Sequence, residues 1–451
     1  MAYVSINPWN GETLARYETL SAEAIKDRLA QSEQAFGRWS RSPIADRCQA
    51  LNKLADALKH QREKLAGLIT AEMGKPITES RAEVDKCILC CRYYAEQAEQ
   101  MLQPKEISSP AKRSFVRIDP AGTVLGLMPW NYPFWQVFRY AVPNLALGNA
   151  VLLRHASGTG GCAQAMELLF EPEAFPPGIF QNLYVEHEAV ESVIAHRAVT
   201  GVTLTGSEQA GAAVAAVAGR YLKKSVLELG GSNAFLVLQG ADLEEAVAGA
   251  VQARMVNAGQ SCIAAKRFIV EAPLYQAFAE RFAQALAEIS IGDPMLDETR
   301  LGPLARESFA ETLQDQLKDS LRAGAVLLAG GGCSGARHEA TLIGDVTPGM
   351  RAFDEETFGP LAALVRARDA GHALELANQS RFGLGMSIYS GSEEQALSLA
   401  ARADDGAVFL NSPVVSDPRH PFGGTKASGY GRELSREGLL EFANIKTVVI
   451  R

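Results

Sequence analysis

The chain has no run of about 18 uninterrupted apolar residues, so no transmembrane helix is expected. It also lacks a positive balance. Its 44 Lys and Arg face 52 Asp and Glu, a formal net charge of −8. That argues against nucleic acid as a main partner, because neutralising phosphates takes a basic surface. A local basic pocket for a small anion stays open. The opening stretch MAYVSINPWNGET has no basic region followed by an apolar one, so no secretory leader is expected. There is no internal repeat and no low-complexity tract. The seven histidines are scattered and suggest no metal site. Cys87-Ile-Leu-Cys90 is a lone CxxC within a helical pattern, without the second CxxC or His pair that zinc would need. The cysteines (Cys48, Cys87, Cys90, Cys91, Cys162, Cys262 and Cys333) are odd in number and irregularly spaced, which points to reduced thiols and a cytoplasmic setting.

What is present is ordinary globular composition, 47% hydrophobic and 21% charged, in a chain of 451 residues. That is too long for one core, so two or three domains are expected. Residues 21–71 and 76–101 read as helices, with Ser21 as a cap and Gly-Lys-Pro at 74–76 as punctuation. Residues 113–127 read as strand, Pro-Gly turn, strand. From 121 onwards the pattern alternates. Strands are expected over 122–130, 149–155, 180–186, 198–207 and 224–231, and helices over 133–148, 160–171 and 208–222. Such alternation with short connections predicts an α/β fold with a parallel sheet and helices on both faces. LLAGGGCSG, 327–335, is Gly-rich but reads as strand then loop rather than a phosphate cradle.

Six stretches could carry chemistry, two of which, EETFGP (355–360) and PFGGTKASGYGRE (421–433), suggest a cofactor or substrate wall that mechanism alone does not assign. Cys262 closes NAGQSC, a small and polar approach unlike the setting of a core thiol. It is either a buried small hydrophobe or a nucleophile whose pKa is lowered by nearby backbone N–H groups. Glu228 ends the otherwise apolar VLELGG strand, as a general base of raised pKa or as half of a structural ion pair. Asn131, in MPWNYP, follows a strand end and is an oxyanion donor or a turn residue before a helix. LTGSEQAG, 204–211, runs a strand into a helix N-terminus suited to phosphate, though it is not GxGxxG and taken alone is weak.

Taken together, PWNYP, LTGS, LELGG, GQSC, EETFGP (355–360) and PFGGTKASGYGRE (421–433) occur in the order that resembles the NAD(P)-dependent aldehyde dehydrogenase superfamily, over essentially the whole chain. The fullest likeness is to the short bacterial succinate-semialdehyde dehydrogenases. The resemblance implies that Cys262 attacks the aldehyde to form a thiohemiacetal. Asn131 and the Cys262 N–H would hold the oxyanion. Hydride transfer to the nicotinamide would leave a thioester, and Glu228 would activate the water that hydrolyses it. It implies cofactor contacts from Trp130, Arg154, His155, Ser157, Thr205, Gly206, Ser207, Leu229, Glu356 and Phe358, and no metal. The sequence departs from the family pattern where a lysine is usual, at Tyr140. It departs again in the adenosine-ribose segment RHAS, 154–157, where Arg154 and Ser157 favour acceptance of NADP beside NAD.

For the substrate, Arg139 falls where the semialdehyde enzymes hold a distal carboxylate. The plain alternative is a surface charge on an amphipathic helix. Tyr132 joins the same wall. The family's second arginine falls on Val256, leaving Arg254, Ser416 and Arg419 as alternatives. The substrate implied is succinate semialdehyde, with glutarate semialdehyde or a neutral aliphatic or aromatic aldehyde as alternatives. A CoA-acylating or a non-enzymatic relative is disfavoured by the presence of Glu228, Cys262 and Asn131. The implied architecture is a Rossmann-type cofactor domain over 1–101 and 121–230, an α/β catalytic domain over 231–425, and a small β oligomerisation arm over 102–120 and 426–451, in a homodimer or homotetramer.

Overall fold

Strands separated by helices must return across a sheet face and so run parallel, and this rule organises most of the chain. A computed structural model describes residues 3–170 and 174–451. The strands Thr123–Met128, Ala150–His155, Phe180–Asn182, Val199–Thr205 and Lys224–Glu228 are connected by the helices Trp135–Leu147, Gly160–Leu169, His187–Ala195 and Glu208–Arg220. They form a six-stranded sheet in the order 429–430, 224–228, 199–205, 123–128, 150–155, 180–182, in which only the Gly429–Tyr430 edge is antiparallel. The chain walks outward from 123–128 to one edge, then restarts on its other side at 199–205. Beyond the carboxyl ends of two such strands lies the crevice where this kind of sheet binds ligands. Trp130 and Asn131 follow one of the pair, and Gly206 and Ser207 the other.

A second, seven-stranded sheet runs Val326–Ala329, Thr341–Gly344, Leu361–Ala367, Ala265–Glu271, Asn233–Val237, Met386–Tyr389, Val408–Leu410, parallel except at its Val326–Ala329 edge. Its central strands are buried along their whole length, as expected of strands covered on both faces. The helix Leu243–Met255 leads from Asn233–Val237 toward Ala265–Glu271, and Cys262 sits in that connection.

Arg113–Pro120 pairs with Ala443–Ile450 and Lys105–Glu106 in a third, antiparallel sheet. The expected strand–turn–strand over 113–127 is therefore a crossing from this sheet to the first rather than a hairpin. Of the 426–451 segment, only 443–450 joins the small sheet. Gly429–Tyr430 edges the first sheet instead. A Cβ at Gly429 would stand 2.0 Å from the Leu227 carbonyl oxygen, so this approach to the strand carrying Glu228 needs glycine.

Helix punctuation is local chemistry. Ser21 caps Ala22–Trp39 by accepting from the Ala24 N–H at 3.1 Å. The span 21–71 is divided into Ala22–Trp39, Ile44–His60 and Arg62–Met73, and Ile77–Met101 follows. Gly74 ends the third helix at φ 80°. The strand expected over 180–186 stops at Asn182, because the Tyr184 carbonyl accepts from Leu20 and leads the chain off the sheet. Of the helix expected over 160–171, Glu171 lies outside the described residues, as do the first two residues of the expected cofactor domain.

Candidate active site

The loop that carries Cys262 is a forced reversal. Asn257, Ala258 and Gly259 take φ of 54°, 51° and 72°, three left-handed residues in succession. A Cβ at Gly259 would lie 2.3 Å from the Gly359 carbonyl oxygen, so that position requires glycine. The loop is pinned from below by Arg254, fully buried, whose guanidinium donates to the carbonyls of Ala265 at 2.8 Å, Thr357 at 2.9 Å, Gly259 at 3.3 Å, and Gly359. Arg254 is thus excluded as a second substrate anchor: burial turns it onto backbone carbonyls. Lys266 Nζ donates to the carbonyls of Ser261 and Cys262 at 2.8 and 2.9 Å and stands 3.4 Å from Glu356 Oε1.

Asn131 is oriented on both sides. Gln136 Nε2 donates to its Oδ1 at 3.0 Å, which turns the Asn131 amide N–H₂ toward the nucleophile loop, where it donates to the Gln260 carbonyl at 3.0 Å. Asn257 Nδ2 ties the Asn131 carbonyl to the same loop at 2.7 Å. The Cys262 N–H makes no hydrogen bond among the described residues. Asn131, which lines the same cavity as Cys262, and the Cys262 N–H are two donors of the kind that suits an oxyanion.

The thiol is not activated at rest. Burial pushes the Cys262 pKa up to about 11, against the opposing charges of Arg139 and Lys266. The lowered pKa expected from free backbone N–H groups is corrected here: desolvation outweighs them. Inactivation of cofactor-free protein by iodoacetamide should accelerate about tenfold per pH unit between pH 7 and 9, because only thiolate reacts. The measurement is loss of activity, since the exposed Cys333 also reacts. A plateau near neutral pH would contradict a raised pKa.

Glu228 is 2% exposed, and neither carboxylate oxygen has a hydrogen-bond partner among the described residues. Burial, then the charge of Glu433, raises its pKa well above the ordinary carboxylate range; Arg139 and Arg432 oppose them. The ion-pair alternative therefore fails for Glu228. The paired acid is Glu433, whose Oε2 lies 2.5 Å from Arg139 Nε. Arg139 Nη2 also donates to Thr205 Oγ1 at 3.2 Å. Arg139 is 2% exposed, which rules out a surface charge. Tyr140, at the departed lysine position, is buried and donates to the Leu152 carbonyl at 3.1 Å.

Three cavities meet here. One of about 290 Å³ is lined by Trp130, Asn131, Thr205, Gly206, Ser207, Leu229, Glu356, Phe358 and Cys262. Trp130 is fixed between Phe309, stacked at 4.9 Å, and Phe358, edge-on at 5.9 Å. A second, of about 490 Å³, shares Trp130 and Thr205 and adds Arg154. A third, of about 220 Å³, is lined by Tyr132, Trp135, Arg139, Ser416, Lys86 and Cys262. Cys262 is common to the first and third.

A dinucleotide fits the first two. Ser207 caps the helix Glu208–Arg220 by accepting from the Ala210 N–H at 3.3 Å, presenting a helix start beside Gly206. A Cβ at Gly230 would stand 2.5 Å from Glu356 Oε2, so the wall is kept thin there. Arg154 Nε is buried without a hydrogen-bond partner among the described residues, and Arg154 Nη2 is 3.5 Å from His187 Nε2. Ser157 is exposed in the loop after Arg154.

His155 does not join them through its side chain. Its ring is fully buried, 2.9 Å from the Pro133 carbonyl and 2.9 Å from Thr159 Oγ1, and burial lowers its pKa to about 4. It shapes the loop as a neutral imidazole. Arg419 is likewise displaced: it is exposed and bound to Asp417 at 2.8 and 2.5 Å. Ser416 is in place, its Oγ accepting from Trp135 Nε1 at 2.9 Å and Lys86 Nζ at 2.8 Å. Sequence reasoning missed Gln136, Glu433, Lys266 and Lys86. The PFGGTKASGYGRE motif contained Glu433, but nothing in the linear pattern tied Lys86 to this cavity.

Residues 2–448 match the aldehyde dehydrogenase family. The chain belongs to that family. It is 44% identical over 449 residues to the succinate-semialdehyde dehydrogenase [NADP(+)] of Deinococcus radiodurans, covering 99% of this chain and 94% of that one. It is 45% identical over 448 residues to the succinate semialdehyde dehydrogenase [NAD(P)+] Sad of Escherichia coli K12, covering 99% and 97%. The crystal structure of succinic semialdehyde dehydrogenase from Streptococcus pyogenes in complex with NADP+ superposes with a TM-score of 0.97 at 36% identity over all of both chains. Cys262 thus lines two of the three adjoining cavities of an aldehyde dehydrogenase, and the remaining one opens off the first through Trp130 and Thr205.

Proposed function

We propose that this aldehyde dehydrogenase oxidises succinate semialdehyde to succinate, with NADP accepted and favoured over NAD. The observation that carries the reading is the double placement of Cys262, in the wall it shares with Glu356 and Phe358 and in the wall it shares with Arg139. When bound, the nicotinamide supplies a hydride acceptor. Gly206, Ser207, Leu229, Glu356 and Phe358 would hold it, with Trp130 and Thr205 between its halves and Arg154 and Ser157 at the adenosine end.

The protein's own part follows from its geometry. Cys262 releases its proton to solvent water, the thiolate sulfur bonds to the aldehyde carbon as the C=O π bond opens, and the carbonyl oxygen gains the negative charge. Asn131 Nδ2 and the Cys262 N–H receive that charge, and Gln136 keeps the amide turned the right way. After oxidation the carbon is held as a thioester. Glu228 takes a proton from water, the hydroxide oxygen bonds to the acyl carbon, and the C–S bond breaks to return the thiolate. A buried carboxyl of raised pKa suits this step, since its proton affinity approaches that needed near neutral pH.

A panel of succinate semialdehyde, glutarate semialdehyde, butanal and benzaldehyde, run with NADP and NAD, tests the reading. Succinate semialdehyde should give the largest kcat/KM. NADP should exceed NAD because Arg154 adds positive charge and Ser157 brings no carboxylate against a 2′-phosphate. Arg154→Glu should reverse the cofactor order. A strong wild-type preference for NAD, or for a neutral aldehyde, would sink the corresponding half.

The oligomer is read from the third sheet. Ile445, Val449 and Ile450 are 60%, 54% and 42% exposed on the Ala443–Ile450 edge, a surface that pairing with a second copy would cover. This supports a homodimer or homotetramer. The seven free cysteines support a reducing, cytoplasmic location.

A further inference from the structure

The cavity on the substrate side of Cys262 has two cations in its wall, and they are differently occupied. Arg139 is engaged by Glu433 at 2.5 Å and by Thr205 at 3.2 Å. With Tyr140 at the lysine position of the family pattern, this guanidinium is the charge that balances Glu433. Lys86 comes from the helix Ile77–Met101, far away in sequence. Its Nζ lies 4.5 Å from the centroid of the Trp135 ring and donates to Ser416 Oγ at 2.8 Å. No carboxylate lies within ion-pair distance of it among the described residues. The nearby Glu83 is bound by Lys75 and by the backbone N–H groups of Phe134 and Trp135, and Asp417 by Arg419.

An ammonium has three donors, and the structure uses one of Lys86's. It also stands over an aromatic face in a mostly apolar cavity, where an ion pair is stronger than in water. Burial and the charge of Arg139 lower the Lys86 pKa to about 8, and an arriving anion would relieve both.

We propose that Lys86 selects the substrate: it binds the distal carboxylate of an aldehyde acid, next to Ser416 in the cavity that both share with Cys262, taking the part of the second cation that Val256 cannot play. The proposal rests on the succinate semialdehyde reading above and names the residue behind it. It also divides the labour in the wall. Arg139 sets the charge around Glu433 and Glu228, while Lys86 reads the far end of the substrate.

The test compares kcat/KM for succinate semialdehyde with that for butanal, which has the same carbon count and no carboxylate. In Lys86→Met the ratio should fall about 30-fold, the scale of a lost charged hydrogen bond. The fall should lie in KM for the acid rather than in kcat. Lys86→Arg should restore most of the ratio. Succinate should inhibit butanal oxidation by the wild type, and much less so by Lys86→Met, which reads the site without turnover of the acid. An unchanged ratio and unchanged succinate inhibition in Lys86→Met would overturn the role of Lys86 while leaving the succinate semialdehyde reading intact. A wild type that does not prefer the acid would overturn both. If Lys86→Met does not fold, Lys86→Gln and Ser416→Ala give the same comparison with smaller changes of shape.

Discussion

Glu228→Gln should produce one rapid equivalent of reduced cofactor per active site and then nearly stop, with steady-state turnover down about 10²- to 10⁴-fold. Acylation needs the thiolate, the oxyanion donors and the cofactor, whereas hydrolysis alone needs a proton acceptor for water. Glutamine keeps the shape of Glu228 and removes its basicity. The variant should fold well. The native carboxyl is buried, without hydrogen-bond partners among the described residues, and near Glu433. A carboxyl whose pKa is raised in the folded state loses stability as pH rises through that pKa, so the amide should melt no lower than wild type above neutral pH. The acid limb of the wild-type pH–rate profile, where Glu228 becomes protonated, should vanish in the variant. Hydroxylamine should restore turnover by attacking the stalled thioester. Stopped-flow absorbance and intact mass read these outcomes. Steady-state turnover close to wild type would remove Glu228 from the mechanism, and CoA-dependent acceleration of the wild type would favour acyl transfer.

The second large effect is at the sulfur. Cys262→Ala should lower kcat by at least about 10⁴-fold, the scale seen when a covalent nucleophile is removed from a set that acts as a unit. Two observations make this a chemical loss rather than a structural one. The Cys262 side chain makes no hydrogen bond among the described residues, and its loop is held by the Arg254 and Lys266 bonds to backbone carbonyls. NADP binding by calorimetry should therefore persist, and the burst seen in Glu228→Gln should be absent. Retention of more than about a hundredth of the activity would leave Cys262 as a positioning group and reopen the choice among the other thiols.

The legible parts of this site were those in which chemistry and backbone geometry are encoded together in a short stretch. LTGS, LELGG and GQSC each pair a functional side chain with glycine or a small residue where a strand must end or turn. The left-handed Asn257-Ala258-Gly259 run is the physical form of one such signal. Arg254 and His155 misled for the opposite reason. Each is adjacent in sequence to functional residues, but helix phase and strand alternation turn their side chains inward, onto the carbonyls of Ala265 and Thr357 and of Pro133. Lys86 was invisible because the helix that carries it meets the catalytic loop only in the folded chain.

The sequence by itself determined the order of strands and helices, and with it the parallel sheet and its switch point. It also determined which atoms could attack, donate or accept, because those properties belong to residue types and to spacing along the chain. Tertiary structure decided the upward pKa shifts of Cys262 and Glu228, the partner of Arg139, and the presence of Lys86 in a cavity wall shared with Cys262. Each depends on how much water a group has lost and on which charges stand nearby, and those are set by parts of the chain that are distant in sequence and close only after folding.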